Sequence, residues 1–329
     1  MKITKTMKTF VLSSTVVFAS VPSFAFEQSR SVECIAPSGP GGGWDFTCRS
    51  VGKALMDMGV IEGAVKTVNM TGAGGGVAFA HTVSKRDSDA SLIVAASTAT
   101  TTRLAQGQFP GMNRDMVKWV GTLGADYGVI AVSKDSKFHS LTDLIEALKT
   151  NPSDVKVAGG SALGGWDHLK VLMTAKEAGV SDVKKIKYLA YAGGSEAIVQ
   201  VVGGHVDVFT GDVSEVKGFM DSGDLRVLAV LSEERLDPPF DAIPTALEQG
   251  VSSIAPNWRG FYVPMNASQD SYDWWVEQVD KLYETEEWKS IMEKNGLMPF
   301  HKSGAEFTTF VSQQTQDIQL LSKDIGLIK

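Results

Sequence analysis

The residues best suited to chemistry in this chain are glycines in four short runs, each placed where a strand should give way to a helix. Gly42-Gly43-Trp44-Asp45 follows an apolar run at residues 32–36, and Gly164-Gly165-Trp166-Asp167 follows one at residues 155–158. Gly74-Gly75-Gly76 follows residues 65–69, and Gly193-Gly194-Ser195 follows residues 186–190. Without a Cβ, a glycine lets its backbone N–H approach a ligand closely and adopt positive φ. The first N–H groups of a helix have no internal partner, and the helix dipole adds partial positive charge there. Such corners hold anions. Desolvating a carboxylate costs several kcal/mol, and one hydrogen bond to a charged group returns about 1.5–3 kcal/mol. Two or three donors per carboxylate are therefore the minimum. A single corner is better read as an ordinary tight connection; four in matched pairs could surround a small polycarboxylate.

Ser38, Ser97, Thr98, Ser161 and Ser195 stand at predicted strand ends, where their hydroxyls can add donors. Asp45 and Asp167 would repel an anion, so each is read as a cap accepting N–H bonds of its own helix. Acceptance of a ligand hydroxyl or ammonium is the alternative. Trp44 and Trp166 either cover the ligand or pack on their own lobe. Other chemistries find little support. No P-loop run is present, and Gly72-Ala-Gly74-Gly-Gly-Val77 lacks the last glycine of a dinucleotide fingerprint. There is no Gly-x-Ser-x-Gly elbow. The histidines at positions 81, 139, 168, 205 and 301 are scattered without metal-ligand spacing. His168 alone lies near a glycine corner, where a surface or capping role is expected.

The elements that must carry these corners are short Val- and Ile-rich runs alternating with amphipathic segments. Strands are expected at residues 32–36, 65–69, 92–96, 129–133, 155–158, 186–190, 206–209 and 225–231, with a later one at 260–263. A helix over 141–148 is preceded by Ser140 with Asp143 three residues on, a capping pattern. Leu169, Leu172 and Met173, then Trp274, Trp275, Val279 and Leu282, then Phe307, Phe310, Val311, Ile318 and Leu321 form stripes that read as core. Strand–helix alternation implies α/β layers with parallel pairing. The unit of strand, glycine corner, helix, strand, glycine corner, helix occurs twice, which predicts two similar lobes facing one another. The chain should leave the first lobe near residues 124–132 and return near 227–231. Lobe one is then residues 26–125 plus 232–329, and lobe two residues 126–231.

The 329 residues open with Lys2, Lys5 and Lys8, an apolar run at 10–19, and Ser23-Phe24-Ala25, the order of a cleavable secretory signal over residues 1–25. The apolar run is shorter than the roughly 20 residues a membrane span needs. Removing this segment moves the formal charge from −7 to −10, because it holds three lysines and no acid. That argues against nucleic acid or an anionic membrane surface as a partner, and any anion must be held by local donors. Export would place Cys34 and Cys48 in an oxidising compartment, where a disulfide is the expected state and two buried thiols the alternative.

Several segments together resemble one family. They are Cys34-Ile-Ala-Pro-Ser-Gly-Pro-Gly-Gly-Gly-Trp-Asp-Phe-Thr-Cys48, Gly124-Ala-Asp-Tyr-Gly128, Gly211-Asp-Val-Ser-Glu215, Arg226-Val-Leu-Ala-Val230, Ile243-Pro-Thr-Ala246 and Arg259-Gly-Phe-Tyr-Val263. Across nearly the whole mature chain the sequence is similar to the substrate-binding proteins of tripartite tricarboxylate transporters, the TctC or Bug family. The resemblance implies a two-lobed, type II periplasmic binding protein. Each lobe would be a mixed, mainly parallel sheet flanked by helices, with the ligand in the interlobe cleft. It implies no catalysis and no cofactor or metal, a monomer, and one large and one small membrane subunit as partners. It implies carboxylates held by the glycine corners of both lobes without an arginine clamp. The ligand set it suggests is Ser38, Pro40, Gly41, Gly42, Gly43, Trp44, Asp45, Gly74, Gly75, Ser97, Thr98, Tyr127, Gly160, Ser161, Gly164, Asp167, Gly193, Gly194, Ser195 and Asp212. The cysteine pair and the Asp-Tyr-Gly and Ser-Glu segments are closest to tricarboxylate-binding members, with citrate the first candidate. Presentation of a bound carboxylate to a membrane kinase or chemoreceptor is the alternative use of the same site.

Overall fold

The computed structural model describes residues 31–329 except Ala192; the expected signal segment lies outside the described residues. The strands are β1 Ser31–Ala36, β2 Ala64–Asn69, β3 Leu92–Ser97, β4 Val117–Ser133, β5 Lys156–Gly159, β6 Lys187–Ala190, β7 Val208–Asp212, β8 Leu225–Val230 and β9 Pro256–Pro264. The helices are α1 Gly43–Asp57, α2 Gly76–Lys85, α3 Thr98–Ala105, α4 Leu141–Thr150, α5 Trp166–Glu177, α6 Gly194–Val202, α7 Val213–Asp221, α8 Gln269–Tyr283, α9 Glu286–Lys294 and α10 Gly304–Asp324. α4 starts on the expected capping box, with Ser140 Oγ accepting the Asp143 N–H and Asp143 returning to the Ser140 N–H.

The strands run in the order β2-β1-β3-β9-β4-β7-β5-β6, with β8 also on β4. β1 pairs in parallel with β2 and β3, and β5 with β6 and β7. Antiparallel pairs surround the two strands that join the halves: β9 lies between β3 and β4, and β4 continues to β7 and β8. The result is a two-lobed, mixed α/β fold in which one long strand belongs to both lobes. The first half of β4 went unseen in the sequence because Gly121, Gly124 and Asp126 interrupt its apolar run, although Gly121–Asp126 is buried throughout.

The return crossing lies later than the hydropathy pattern suggests. Residues 227–230 sit inside β8, paired with the far half of β4. Residues 231–255 stay with that half: Leu231 N–H donates to Gly128 O, Ala246 N–H to Val230 O, and Leu236, Phe240 and Ile243 join its core. Only at β9 does the chain regain the first sheet. α10 is likewise shared. Phe307 and Val311 pack with Trp119, Trp258 and Tyr262 of the first lobe, whereas Ile318 packs with Trp166, Leu169 and Leu172 of the second. The stripes at Trp275, Val279 and Leu282 and at Leu169 and Leu172 are core, as their spacing predicted.

Candidate functional site

The two first corners are built alike. Gly41 has φ +80 and donates its N–H to Asp45 Oδ2 at 2.8 Å; Gly42, extended at φ −74, then opens α1. Gly164 has φ +77 and donates its N–H to His168 Nδ1 at 3.0 Å; Gly165, at φ −73, opens α5. Positive φ at both positions is why glycine stands there. The correspondence is one residue out of register with the tetrapeptide echo. Ser38 answers to Ser161, Gly41 to Gly164, and Asp45 to His168 rather than to Asp167.

This corrects the capping roles assigned to the two aspartates. Asp45 holds the turn ahead of its helix and also accepts from Arg49 Nε at 2.9 Å and Asn69 Nδ2 at 2.8 Å. Arg49, with help from Gly41 and Asn69, holds its pKa down to about 2. Asp167 caps nothing through its carboxylate; it pairs with Lys170 Nζ at 3.0 Å while its own N–H goes to Ser161 Oγ. His168 is buried, not on the surface, and burial lowers its pKa to about 4, so a neutral ring accepts the Gly164 N–H.

The other expected donors divide. Ser97 and Thr98 are buried, with Ser97 Oγ capping α3 and Thr98 Oγ1 donating to Pro256 O, so both hydroxyls serve the fold. Gly164 O accepts from Gln106 Nε2 at 2.7 Å, which joins the end of α3 to the second lobe's first corner. Tyr127 is half-buried among core residues. Trp166 is core, and a Cβ on Gly75 would stand 3.5 Å from the Trp44 ring, so Trp44 packs against the turn that opens α2. Gly160 lies against the Gly193–Gly194 backbone, and a Cβ on Gly194 would overlap the Glu215 carboxyl, which therefore fills the space at that corner. Ser195 is exposed at the second position of α6. Pro40, Gly41, Gly43 and Gly74 are exposed.

Between the halves lies a cleft of about 500 Å³, lined by Gly41 and Gly43 on one side, Asp212, Ser214 and Glu215 on the other, and Asp126 and Arg259 across its floor. Arg259 Nη1 would lie 2.9 Å from a Cβ on Gly43, so glycine there makes room for the guanidinium. Arg259 stands 3.7 Å from Asp126 and 3.8 Å from Asp212. Asp212 also pairs with the fully buried Lys170 and accepts from Asn257 Nδ2 at 2.6 Å. Ser214 donates to Asp126 through both its N–H and its hydroxyl. Of the charged and polar side chains here only Asp212 was among the candidate residues, beside the glycines Gly41 and Gly43. Arg259 and Lys170 carried a signal, a charge inside a strongly apolar run, that went unused.

Too many acids share this floor for all to ionise freely. Burial and the nearby Asp212 raise Asp126 to about 7, against Arg259 and Ser214. Burial, then Asp212 and Asp167, raise Glu215 to about 8. A folded-state pKa above the unfolded one gives stability that is full at low pH and lost as pH rises through the folded value. The buried His168 acts oppositely but only below its unfolded pKa near 6.5. The ligand-free protein should therefore melt lower at pH 8.5 than at pH 6.5, at roughly 2 °C per kcal/mol for a chain of this size. Glu215→Gln should flatten that slope, as differential scanning calorimetry would record; an unchanged slope in the variant would remove Glu215 from the account.

Against this geometry, the similarities to known proteins are consistent. Residues 56–327 match the model of the tripartite tricarboxylate transporter family receptor. The chain is 28% identical to protein BugT of Bordetella pertussis over 241 residues, 72% of this chain and 71% of that one. It is also 28% identical over 242 residues to a protein encoded in the tcbD-tcbE intergenic region of Pseudomonas sp. strain P51, covering 72% and 68%. Among solved structures, a TctC solute-binding protein from Polaromonas superposes with TM-score 0.74 at 22% identity, covering 90% of this chain and 99% of that one. MatC from Rhodopseudomonas palustris with bound malate superposes with TM-score 0.73 at 17% identity, and an R. palustris protein with adipate with TM-score 0.77 at 19%; they cover 88% and 91% of this chain and 98% of each of those. With the family model spanning most of the chain and the same two-lobed fold in those structures, this chain belongs to the tripartite tricarboxylate transporter family of receptors.

Proposed function

We propose that this chain is an exported receptor that closes its lobes on a small polycarboxylate and passes it to one large and one small membrane subunit of a secondary transporter. The observation that carries the reading is the pair of glycine corners built alike in the two lobes, Gly41–Gly43 and Gly164–Gly165, at the starts of α1 and α5. Gly41 and Gly164 give their own N–H groups to Asp45 and His168. The first amides of α1 and α5 that follow, such as those of Gly43 and Trp166, are therefore the ones that favour an anion, and shells supplied from both sides favour the closed state. Structures of similar fold with adipate and malate support a carboxylate as the class. Within that class citrate is our first candidate, on the likeness of the cysteine pair and the Asp-Tyr-Gly and Ser-Glu segments to tricarboxylate-binding members. The acids on the cleft floor favour a hydroxyl-bearing ligand, citrate or malate, over adipate. We take residues 126–255 as the second lobe and the rest of the mature chain as the first, with α10 spanning both, cleavage after Ala25, a periplasmic location and a monomer.

A melting screen of the purified mature protein against citrate, malate, adipate, sugars and divalent metals tests this. A ligand present at one hundred times its Kd stabilises by about 2.7 kcal/mol, so the responding carboxylate should raise the melting temperature by about 5 °C. A response confined to sugars or metals would overturn the reading.

A further inference from the structure

Arg103 differs from every other arginine among the described residues. Arg49 pairs with Asp45, Arg86 with Glu33 and Asp89, Arg114 with Asp115, Arg235 with Glu248, and Arg259 faces Asp126 and Asp212. Arg226 donates to the carbonyls of Phe138 and Lys134. The Arg103 side chain has neither a carboxylate partner nor a hydrogen bond among the described residues, yet the residue is partly buried. Burial lowers its pKa below the ordinary guanidinium value, and the Tyr188 phenol of the opposite lobe is the titratable group that acts on it. A charge withdrawn from water without a counter-ion is costly.

Its position explains what could repay that cost. Arg103 lies in the last turn of α3. Its side chain runs across Gly74, whose missing Cβ would stand 3.1 Å from Nε, 3.6 Å from Cγ and 3.7 Å from Cδ. The turn at Gly74 leads into α2. On the far side, Tyr188 is fixed by donating to Ser161 O at 2.8 Å and by its ring against His168 at 4.5 Å. One helical turn along, Gln106 already touches the Gly164 corner. The guanidinium is thus held against a glycine corner of one lobe, within electrostatic range of Tyr188 of the other.

We propose that Arg103 clamps one terminal carboxylate of the ligand, opposite Tyr188 and beside the amides of the Gly74 turn. This rests on the receptor reading above and adds a cationic contact to a site otherwise made of amides. A guanidinium meets a carboxylate through two parallel N–H donors, a geometry lysine cannot reproduce. Arg259 cannot substitute, because Asp126 and Asp212 already face it.

Titration calorimetry of the full mature protein with citrate and with malate, for wild type, Arg103→Met and Arg103→Lys, tests the clamp. Arg103→Met should weaken binding by ten- to a hundredfold and Arg103→Lys by less, while the ligand-free melting temperature of Arg103→Met stays at or above wild type. Arg103→Gln gives a second neutral variant should the methionine protein fail to fold. Wild-type binding with Met or Gln variants within twofold of it would overturn the clamp and leave the receptor reading standing. A ligand-free melting temperature several degrees below wild type in both neutral variants would mark Arg103 as structural and overturn the clamp too. No binding of any carboxylate by the wild type would overturn both.

Discussion

Lys170→Met is expected to cost about 3–5 kcal/mol of folding stability, the usual result of removing one partner from a buried ion pair. Lys170 sits in α5 with its side chain wholly shielded from solvent. Its ammonium reaches Asp212, Asp167 at 3.0 Å and Gly211 O at 2.9 Å, so it ties α5 to the end of β7. Burial works against the charge, but Asp212 and Asp167 outweigh it and hold the proton more firmly than in water. Methionine fills a similar volume and supplies no donor, leaving Asp212 with Asn257 and a distant Arg259. Urea unfolding should show the loss, and adding Asp212→Asn should restore part of it by removing one stranded charge. A cost below about 1 kcal/mol, in the range of an exposed pair, would mean that the cluster does not depend on this lysine.

Loss of the Cys34–Cys48 bridge is the second large effect expected. The bond joins β1 to α1 across a separation of 14 residues, with the Cα atoms 5.7 Å apart. Closing a loop of that length is worth about 3 kcal/mol through the restricted unfolded chain. The loop it closes contains Ser38, Gly41, Gly42 and Gly43, so the corner that lines the cleft is ordered by the same link. The double variant Cys34→Ala, Cys48→Ala should therefore unfold at lower urea and bind the carboxylate more weakly. Ligand affinity unchanged in a clearly destabilised variant would show that the Gly41 corner is set by Asp45 and its partners alone. Unchanged stability would contradict the loop-closure account.

How legible the molecule was depended on the range of the interaction. Strands such as β1, β3 and β7 and helices such as α4 follow from local hydropathy and capping, and their bounds agree with the sequence to within a few residues. β4 and the return of the chain at β9 did not follow. A strand shared between two lobes is buried by partners distant in sequence, here β9 and β7, so it tolerates Gly121, Gly124 and Asp126 where an isolated strand pattern would not. The echo of Gly42-Gly43-Trp44-Asp45 with Gly164-Gly165-Trp166-Asp167 pointed to two related lobes although its letters align one residue away from the backbone equivalence. What repeats is the positive φ and the acceptor four residues on, and Asp45 and His168 meet that need with different chemistry.

The amino-acid sequence by itself determined that the chain is an α/β protein of two related halves with glycine corners at its helix starts, because periodicity and the backbone freedom of glycine are local properties. Tertiary structure alone decided which groups meet in the gap. Arg259, Lys170 and Glu215 gather with Asp126 and Asp212, and Arg103 lies across Gly74 within electrostatic range of Tyr188. Charges are placed by the packing of elements far apart in the chain, and the cost of burying them is fixed only once those elements have closed around them.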